Sequence, residues 1–247
     1  MEPPHALLSA AQVAGFEAFG FVLLRGCFAR EVAELRAAAE ELWLRPDSPA
    51  LPHQQEFRTG DFAERHPRLA ALAGDPRVLT PARQLLGDGF VWAGSEGNCS
   101  AVTTFGWHAD RKYWGPAPGD EARGVRGWPD ACGIGAPQRD LSLCEFRQLK
   151  VSLYFDRLTR ESGCFRAIPG SHRPPLYNRL GPQESAGNKW GESPDAEPFG
   201  VAASELPCHA IETEPGDCII WHTCLWHGVY VDDFARLPVT PQPPCDL

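Results

Sequence analysis

The sequence predicts a mainly β chain with flanking helices, folded as a double-stranded β-helix in which two antiparallel sheets pack as a jelly roll. Three observations predict it. Helical periodicity is confined to residues 1–88, and short strands and tight turns succeed it. Leu149–Asp156 alternates strictly, with Leu149, Val151, Leu153 and Phe155 on one face and Lys150, Ser152, Tyr154 and Asp156 on the other. Beyond it, Pro169-Gly170 and Pro215-Gly216-Asp217 set sharp turns beside short apolar runs.

Each element is set by local chemistry. Ser9 is placed to cap a helix running to about Ala18, with Gln12 as its reciprocal partner. Phe21 to Arg25 reads as a strand. Ala29 to Trp43 spaces Val32, Leu35, Ala39 and Leu42 for one buried helix face. A third helix covers Pro76 to Leu86, and Gly87-Asp88-Gly89 leads into a strand at Phe90 to Ala93. Glu161 to His172 reads as a turn, a short strand and a Pro-Gly turn. After Pro215-Gly216-Asp217 an apolar strand runs to His222, and a second turn places His227 at the start of another strand.

The whole of 1–247 reads as one domain: mostly helical support over 1–88, a β core over 89–236, and an irregular Pro-rich tail over 237–247. Two long irregular segments, 115–147 and 173–207, interrupt the core where lids or solvated insertions are expected.

Composition excludes several function classes. A net charge of −9 is unsuited to the phosphate backbone of nucleic acids. No apolar run approaches the ~20 residues of a membrane span, and Met1-Glu2-Pro3-Pro4-His5 lacks the pattern of a signal peptide. The 9 cysteines are scattered with no Cys-x-x-Cys pair, which predicts reduced thiols and a cytoplasmic location.

The chemistry concentrates in Phe105-Gly106-Trp107-His108-Ala109-Asp110 and, far downstream, Trp226-His227-Gly228. Residues i and i+2 of an extended strand share a face, so His108 and Asp110 can reach one ion together. With one distant histidine they supply two imidazoles and a carboxylate, the ligand set of mononuclear non-haem Fe(II) oxygenases. His-x-Asp alone is a weak signal, expected by chance about once in every two chains of this composition. Two histidines compete for the third position, His222 and His227. Their odd spacing puts them on opposite faces of any shared strand, so both do not bind.

Taken in order, Trp107-His108-Ala109-Asp110, Gly163 through Arg166 to Ile168-Pro169-Gly170-Ser171-His172, and Pro215-Gly216-Asp217 through Leu225-Trp226-His227 resemble the phytanoyl-CoA dioxygenase family of Fe(II)/2-oxoglutarate oxygenases. The likeness starts at Leu8 to Gln12 and Gly20 to Gly26 and runs to about Gly228. It implies a cupin-like jelly roll and a triad of His108, Asp110 and His227. It also implies Fe(II) and 2-oxoglutarate as cofactors, with ascorbate as an optional addition. The implied reaction is hydroxylation of a small-molecule substrate by dioxygen, with succinate and CO2 as coproducts. Halogenating relatives replace the carboxylate with a small residue, whereas Asp110 is retained here. His222 then becomes a core histidine near the site, and His172 a loop residue bonding locally.

The resemblance also implies an arginine for the distal carboxylate of 2-oxoglutarate, nine to eleven residues after the distal histidine. Arg236 stands at nine, but Pro238 and a tail with 4 prolines come next, so the regular final strand looks absent or replaced. Lys150 is the second candidate: some oxygenases of this fold use a lysine of the corresponding strand. Its inward placement puts Leu149, Val151 and Leu153 under the helices; the alternative is an outward lysine. Should neither cation serve, the chain becomes an inactive relative acting as a binding or scaffold domain.

Overall fold

The computed structural model describes residues 7–43, 56–100, 105–110, 148–173, 208–229 and 245–246, with the backbone alone at 56–60, 99–100, 105–108 and 245–246. Arg236 and nearly all of the two predicted long loops lie outside the described residues.

Among the described residues, four α-helices form the support: α1 (Ala10–Phe19), α2 (Val32–Trp43), α3 (Pro67–Ala70) and α4 (Pro76–Leu86). The α1 capping box is formed: Ser9 Oγ accepts from the Gln12 amide at 3.2 Å and Gln12 Oε1 accepts from the Ser9 amide at 2.9 Å. The α2 helix starts at Val32, three residues later than its apolar spacing suggests. Ala29 and Glu31 instead close tight turns onto Gly26 and Phe28. Asp75 caps α4 by accepting from the Arg77 amide at 2.8 Å, and Pro76 occupies the first helical position, where its missing N–H is not needed.

The strands are β1 (Phe21–Leu24), β2 (Glu56–Gly60), β3 (Glu96–Ser100), β4 (Phe105–His108), β5 (Leu149–Leu153), β6 (Phe165–Ala167), β7 (His209–Ile211), β8 (Cys218–His222), β9 (His227–Val229) and β10 (Cys245–Asp246). They form three antiparallel sheets, ordered β1-β8-β5, β4-β9-β6-β7 and β10-β3-β2. The strand expected at Phe90 to Ala93 is absent. Val91 and Trp92 are 84% and 52% exposed there, the Trp92 indole donates to Glu64 Oε1 at 2.6 Å, and regular pairing starts only at Glu96. Within the tail read as irregular, Cys245 and Asp246 pair with Cys99 and Asn98. Neither is proline, so both can join a ladder.

The β1-β8-β5 sheet is buried on both faces. On one, Val22, Ile220, Leu149 and Val151 pack beneath Phe16 of α1 and Leu85 of α4. On the other, Phe21, Leu23, Ile219 and Trp221 meet Phe165, Ala167 and Ile211 of the β4-β9-β6-β7 sheet. A third cluster seats Leu35, Leu42 and Trp43 of α2 on Phe62, Leu153, Phe155 and Cys218. Two sheets face each other and helices cover one of them, as expected of a jelly roll. No helix among the described residues is long and apolar enough to cross a membrane.

The Pro215-Gly216-Asp217 turn locks β8 to the chain after β1. Asp217 Oδ1 accepts from the Gly26 amide at 2.7 Å and Oδ2 from Arg25 Nη1 at 2.6 Å. Gly216 has φ +89°, and a Cβ on it would fall 2.5 Å from both Cα and N of Ala29. Gly216→Ala is therefore expected to lower unfolding stability by about 2–4 kcal/mol, measured from urea midpoints. An unchanged midpoint would mean that the turn shifts freely away from Ala29.

Candidate metal centre

The β4-β9 pairing sets His108 opposite His227, with Phe105 opposite Val229. Three steps along β4 match two along β9, so β4 carries one extra residue between these pairs. Such a bulge bends a strand and re-aims the residues beyond it. The strand stops at His108, and Asp110 sits in a bend two residues further on, not within a continuing strand.

His227 is buried on the face shared with Phe165, whose ring stacks on it at 5.1 Å and 16°. Its Nδ1 lies 2.7 Å from the Leu225 carbonyl oxygen. A carbonyl only accepts, so Nδ1 carries the proton, and in the neutral ring the lone pair is then on Nε2. Nε2 faces Asp110 Oδ2 at 3.7 Å. Oδ2 also accepts from the Trp221 indole N–H at 3.3 Å, while Oδ1 lies 3.3 Å from Lys150 Nζ. Two acceptors facing each other at this distance repel unless a cation or proton lies between them. An imidazole lone pair beside a carboxylate, with His108 on the adjacent backbone position, fits a divalent metal.

The turn before His227 is fixed from three sides. Trp226 donates its amide to Ser171 Oγ at 2.9 Å, and its carbonyl accepts from the Ile168 amide at 2.9 Å. The Thr223 amide donates to the Gln148 carbonyl at 3.1 Å. Ser171 thus positions the turn that carries His227, a role the sequence reading missed although the residue lies in the Pro-Gly-Ser-His motif. Trp221 was missed as well; its place next to His222 in an apolar strand was the available signal.

Lys150 lies inward, as its strand pattern suggested. It pairs in register with Trp221, while Leu149 and Val151 pack on the helix side. Its ammonium is shared between Asp110 Oδ1 and Glu96 Oε2, each at 3.3 Å. Glu96, on β3, is a further acidic group at the site that the sequence reading did not pick out. Arg236, the other candidate cation, lies outside the described residues.

His222 falls on the opposite face of β8 from Trp221 and so away from Asp110. Its Nδ1 accepts from the Cys224 amide at 3.1 Å, and its ring tilts against His172 at 5.4 Å. His172 sits in a turn, as expected of a loop residue, but it is buried, only 4% exposed. Its ring fills the space over Gly20, where a Cβ would come within 2.5 Å of Nδ1.

Burial, reinforced by the Arg173 charge, pushes the His172 pKa down to about 4 against a bond to the Glu17 backbone. The unfolded chain takes up this proton near pH 6.5 and the folded one only near 4, so stability falls as pH drops through that window. Urea midpoints at pH 7 and pH 5 should differ less in His172→Gln than in the wild type. An equal difference would place the acid sensitivity elsewhere.

The family model for phytanoyl-CoA dioxygenase matches residues 16–229. The chain belongs to the phytanoyl-CoA dioxygenase family. This family consists of Fe(II)/2-oxoglutarate-dependent oxygenases, and the enzyme class of the chain is accordingly a dioxygenase with Fe(II) and 2-oxoglutarate as cofactors. The ectoine dioxygenase of Sphingopyxis alaskensis is 28% identical over 245 residues, which is 90% of this chain and 71% of that protein. The ectoine dioxygenase of Bordetella bronchiseptica is 29% identical over 180 residues, covering 67% of this chain and 50% of that protein. Among solved structures, EctD from S. alaskensis with 2-oxoglutarate and 5-hydroxyectoine matches with a TM-score of 0.61 and 25% identity, over 97% of this chain and 74% of that one. HygX from Streptomyces hygroscopicus with nickel and 2-oxoglutarate bound matches with a TM-score of 0.65 and 21% identity, over 97% and 85% of the two chains, and supports the jelly roll alone.

Proposed function

We propose that this dioxygenase hydroxylates a small-molecule substrate, forming succinate and CO2, with His108, Asp110 and His227 as the metal ligands. The observation that carries the reading is the Asp110 Oδ2 to His227 Nε2 approach at 3.7 Å, with the imidazole proton tied back on Leu225. The relatives named ectoine dioxygenase support a small molecule as substrate. They also favour an enzyme over the inactive scaffold that the altered tail suggested. The chemistry that the metal and 2-oxoglutarate supply together is oxidative decarboxylation coupled to hydroxylation of a C–H bond. The reading takes 1–247 as one domain in the cytoplasm; Cys27, Cys164, Cys208, Cys218 and Cys224 are free thiols among the described residues.

The chain's own residues divide the remaining work. Trp221 and Lys150 each hold one oxygen of Asp110, which fixes the rotation of that carboxylate. Phe165 and Trp221 wall the His227 ring and limit water at its Nε2. Lys150, with Arg236 as the alternative, is proposed to receive the distal carboxylate of 2-oxoglutarate in exchange for Glu96.

Anaerobic Fe(II) titration of alanine variants tests the ligand set. His108→Ala, Asp110→Ala and His227→Ala should each weaken binding at least about a hundredfold, while His222→Ala and His172→Ala leave it within a few-fold. Loss of binding in His222→Ala with retention in His227→Ala would overturn the assignment.

Cosubstrate binding is separable. Lys150→Ala should raise the 2-oxoglutarate Kd by about 10–100-fold with Fe(II) affinity changed far less. The effect is smaller than for a fully buried pair because the Lys150 side chain is 36% exposed and already paired. If Arg236→Ala alone produces the loss, the arginine holds the carboxylate and Lys150 does not.

A further inference from the structure

Away from the metal centre, two thiols from opposite ends of the sequence are held together. Cys218 opens β8 opposite Leu24, the last residue of β1. The chain then turns so that both neighbours of Cys27 bond to the segment ending at Cys218. The Gly26 amide donates to Asp217 Oδ1 at 2.7 Å, and the Phe28 amide donates to the Gly216 carbonyl at 2.8 Å. Ala29 presses so closely on Gly216 that no Cβ fits there. Cys27 is therefore held in place, and its side chain packs on the cluster that contains Cys218, close enough for each thiol to shift the titration of the other.

We propose that Cys27 and Cys218 are a redox modification site, a dithiol that hydrogen peroxide converts into a reversible disulfide. Bridging needs Cα atoms roughly 4.4–6.8 Å apart with converging side chains. Bonds one residue to either side of Cys27, joined to the two residues before Cys218, hold the two cysteines side by side. Free thiols at such a position are an oxidisable pair, compatible with a reducing compartment.

The surroundings distinguish the two sulfurs. Cys27 is half-buried, and Arg77 Nη1 reaches its carbonyl oxygen at 3.2 Å, with the guanidinium 4.0 Å above the Phe28 ring. The bond from Cys218 and the Arg77 charge draw the Cys27 thiol below its ordinary range against the effect of burial. The bond to Cys27 and burial push Cys218 well up. Cys27 is accordingly the attacking sulfur and Cys218 the resolving one.

The thiolate of Cys27 breaks the peroxide O–O bond, forming a sulfenic acid and a hydroxide that is protonated to water. The Cys218 sulfur then attacks the sulfenic sulfur. An S–S bond forms, the S–O bond breaks, and the departing hydroxide takes up the Cys218 proton as a second water. The balance is two thiols and one peroxide giving one disulfide and two waters. Sealing it would tie the turn after β1 to the strand that carries Trp221.

The test is mass spectrometry of the full-length chain after brief peroxide treatment and quenching. Expected is an intact-mass loss of about 2 Da, reversed by dithiothreitol, and a non-reducing peptide map joining the Cys27 peptide to the Cys218 peptide. In Cys218→Ser the sulfenic acid should persist and be captured by dimedone at residue 27. Independently of any variant, Cys27 should alkylate with iodoacetamide at pH 7 at least about tenfold faster than Cys164, whose thiol burial pushes up to about 11. A map that lacks the Cys27–Cys218 link, or joins other cysteines in its place, overturns the proposal. Dimedone capture at Cys218 in Cys27→Ser with none at Cys27 in Cys218→Ser overturns the division of roles.

Discussion

The arrangement around the site depends on one constraint: two hydrogen-bond acceptors, Asp110 Oδ2 and His227 Nε2, are held face to face at 3.7 Å. Left to themselves they would separate or trap a proton. Each is restrained from behind. The Leu225 carbonyl claims the Nδ1 proton of His227, which settles the tautomer and the ring rotation together. Trp221 and Lys150 take one Asp110 oxygen each. The two groups are thus directed at one another by the scaffold, His227 by the Leu225 carbonyl and Asp110 by the Trp221 and Lys150 donors, an arrangement suited to the proposed cation.

Those donors are set by a single strand buried on both faces. On β8, Trp221 points to the site and its neighbours Ile220 and His222 to the helix side. Ile220 is fully buried beneath α1 and α4, and His222 meets His172 beneath Gly20. A shift of β8 by one residue would turn Trp221 out and His222 in, exchanging an indole donor for an imidazole at Asp110. Register is guarded at both ends of the strand. At one end, Asp217 and Gly216 lock the turn against Arg25, Gly26 and Ala29. At the other, the His222 amide donates to the Gly20 carbonyl at 2.9 Å. The supporting helices therefore act on the site through β8 and β5, whose Ile220, Leu149 and Val151 they cover.

Periodicity and turn chemistry made much of this legible. The α1 capping box, the alternation of β5 and the turns before β8 and β9 are local signals, and each agrees with the tertiary structure. The inward setting of Lys150 was legible because its neighbours Leu149 and Val151 had to be covered by something apolar. What escaped was set by distant partners. The apolar run Phe90 to Ala93 looks like a strand, but it has no neighbour to pair with among the described residues, and Trp92 satisfies its N–H on Glu64. His172 reads as a loop residue until Gly20 and His222 close over it. Glu96 carries no motif; it reaches the site only because β3, on a separate sheet, brings it to Lys150. The bulge between Phe105 and His108 is equally invisible in the sequence, since it exists only relative to β9.

Charge completes the picture on the proposed ligand set. Asp110 and Glu96 together outnumber Lys150 by one negative charge. An anionic cosubstrate approaching this group meets like charge, and the Lys150 ammonium is already shared between two carboxylates. Once a divalent cation takes over Asp110, Lys150 loses half of its reason to stay where it is. The local charge also turns from negative to positive. Its ammonium then has only Glu96, half-exposed and 3.3 Å away, to give up for an incoming carboxylate. On the proposed ligand set, this change of charge favours the metal first and the keto acid second, through three side chains from three different strands and turns.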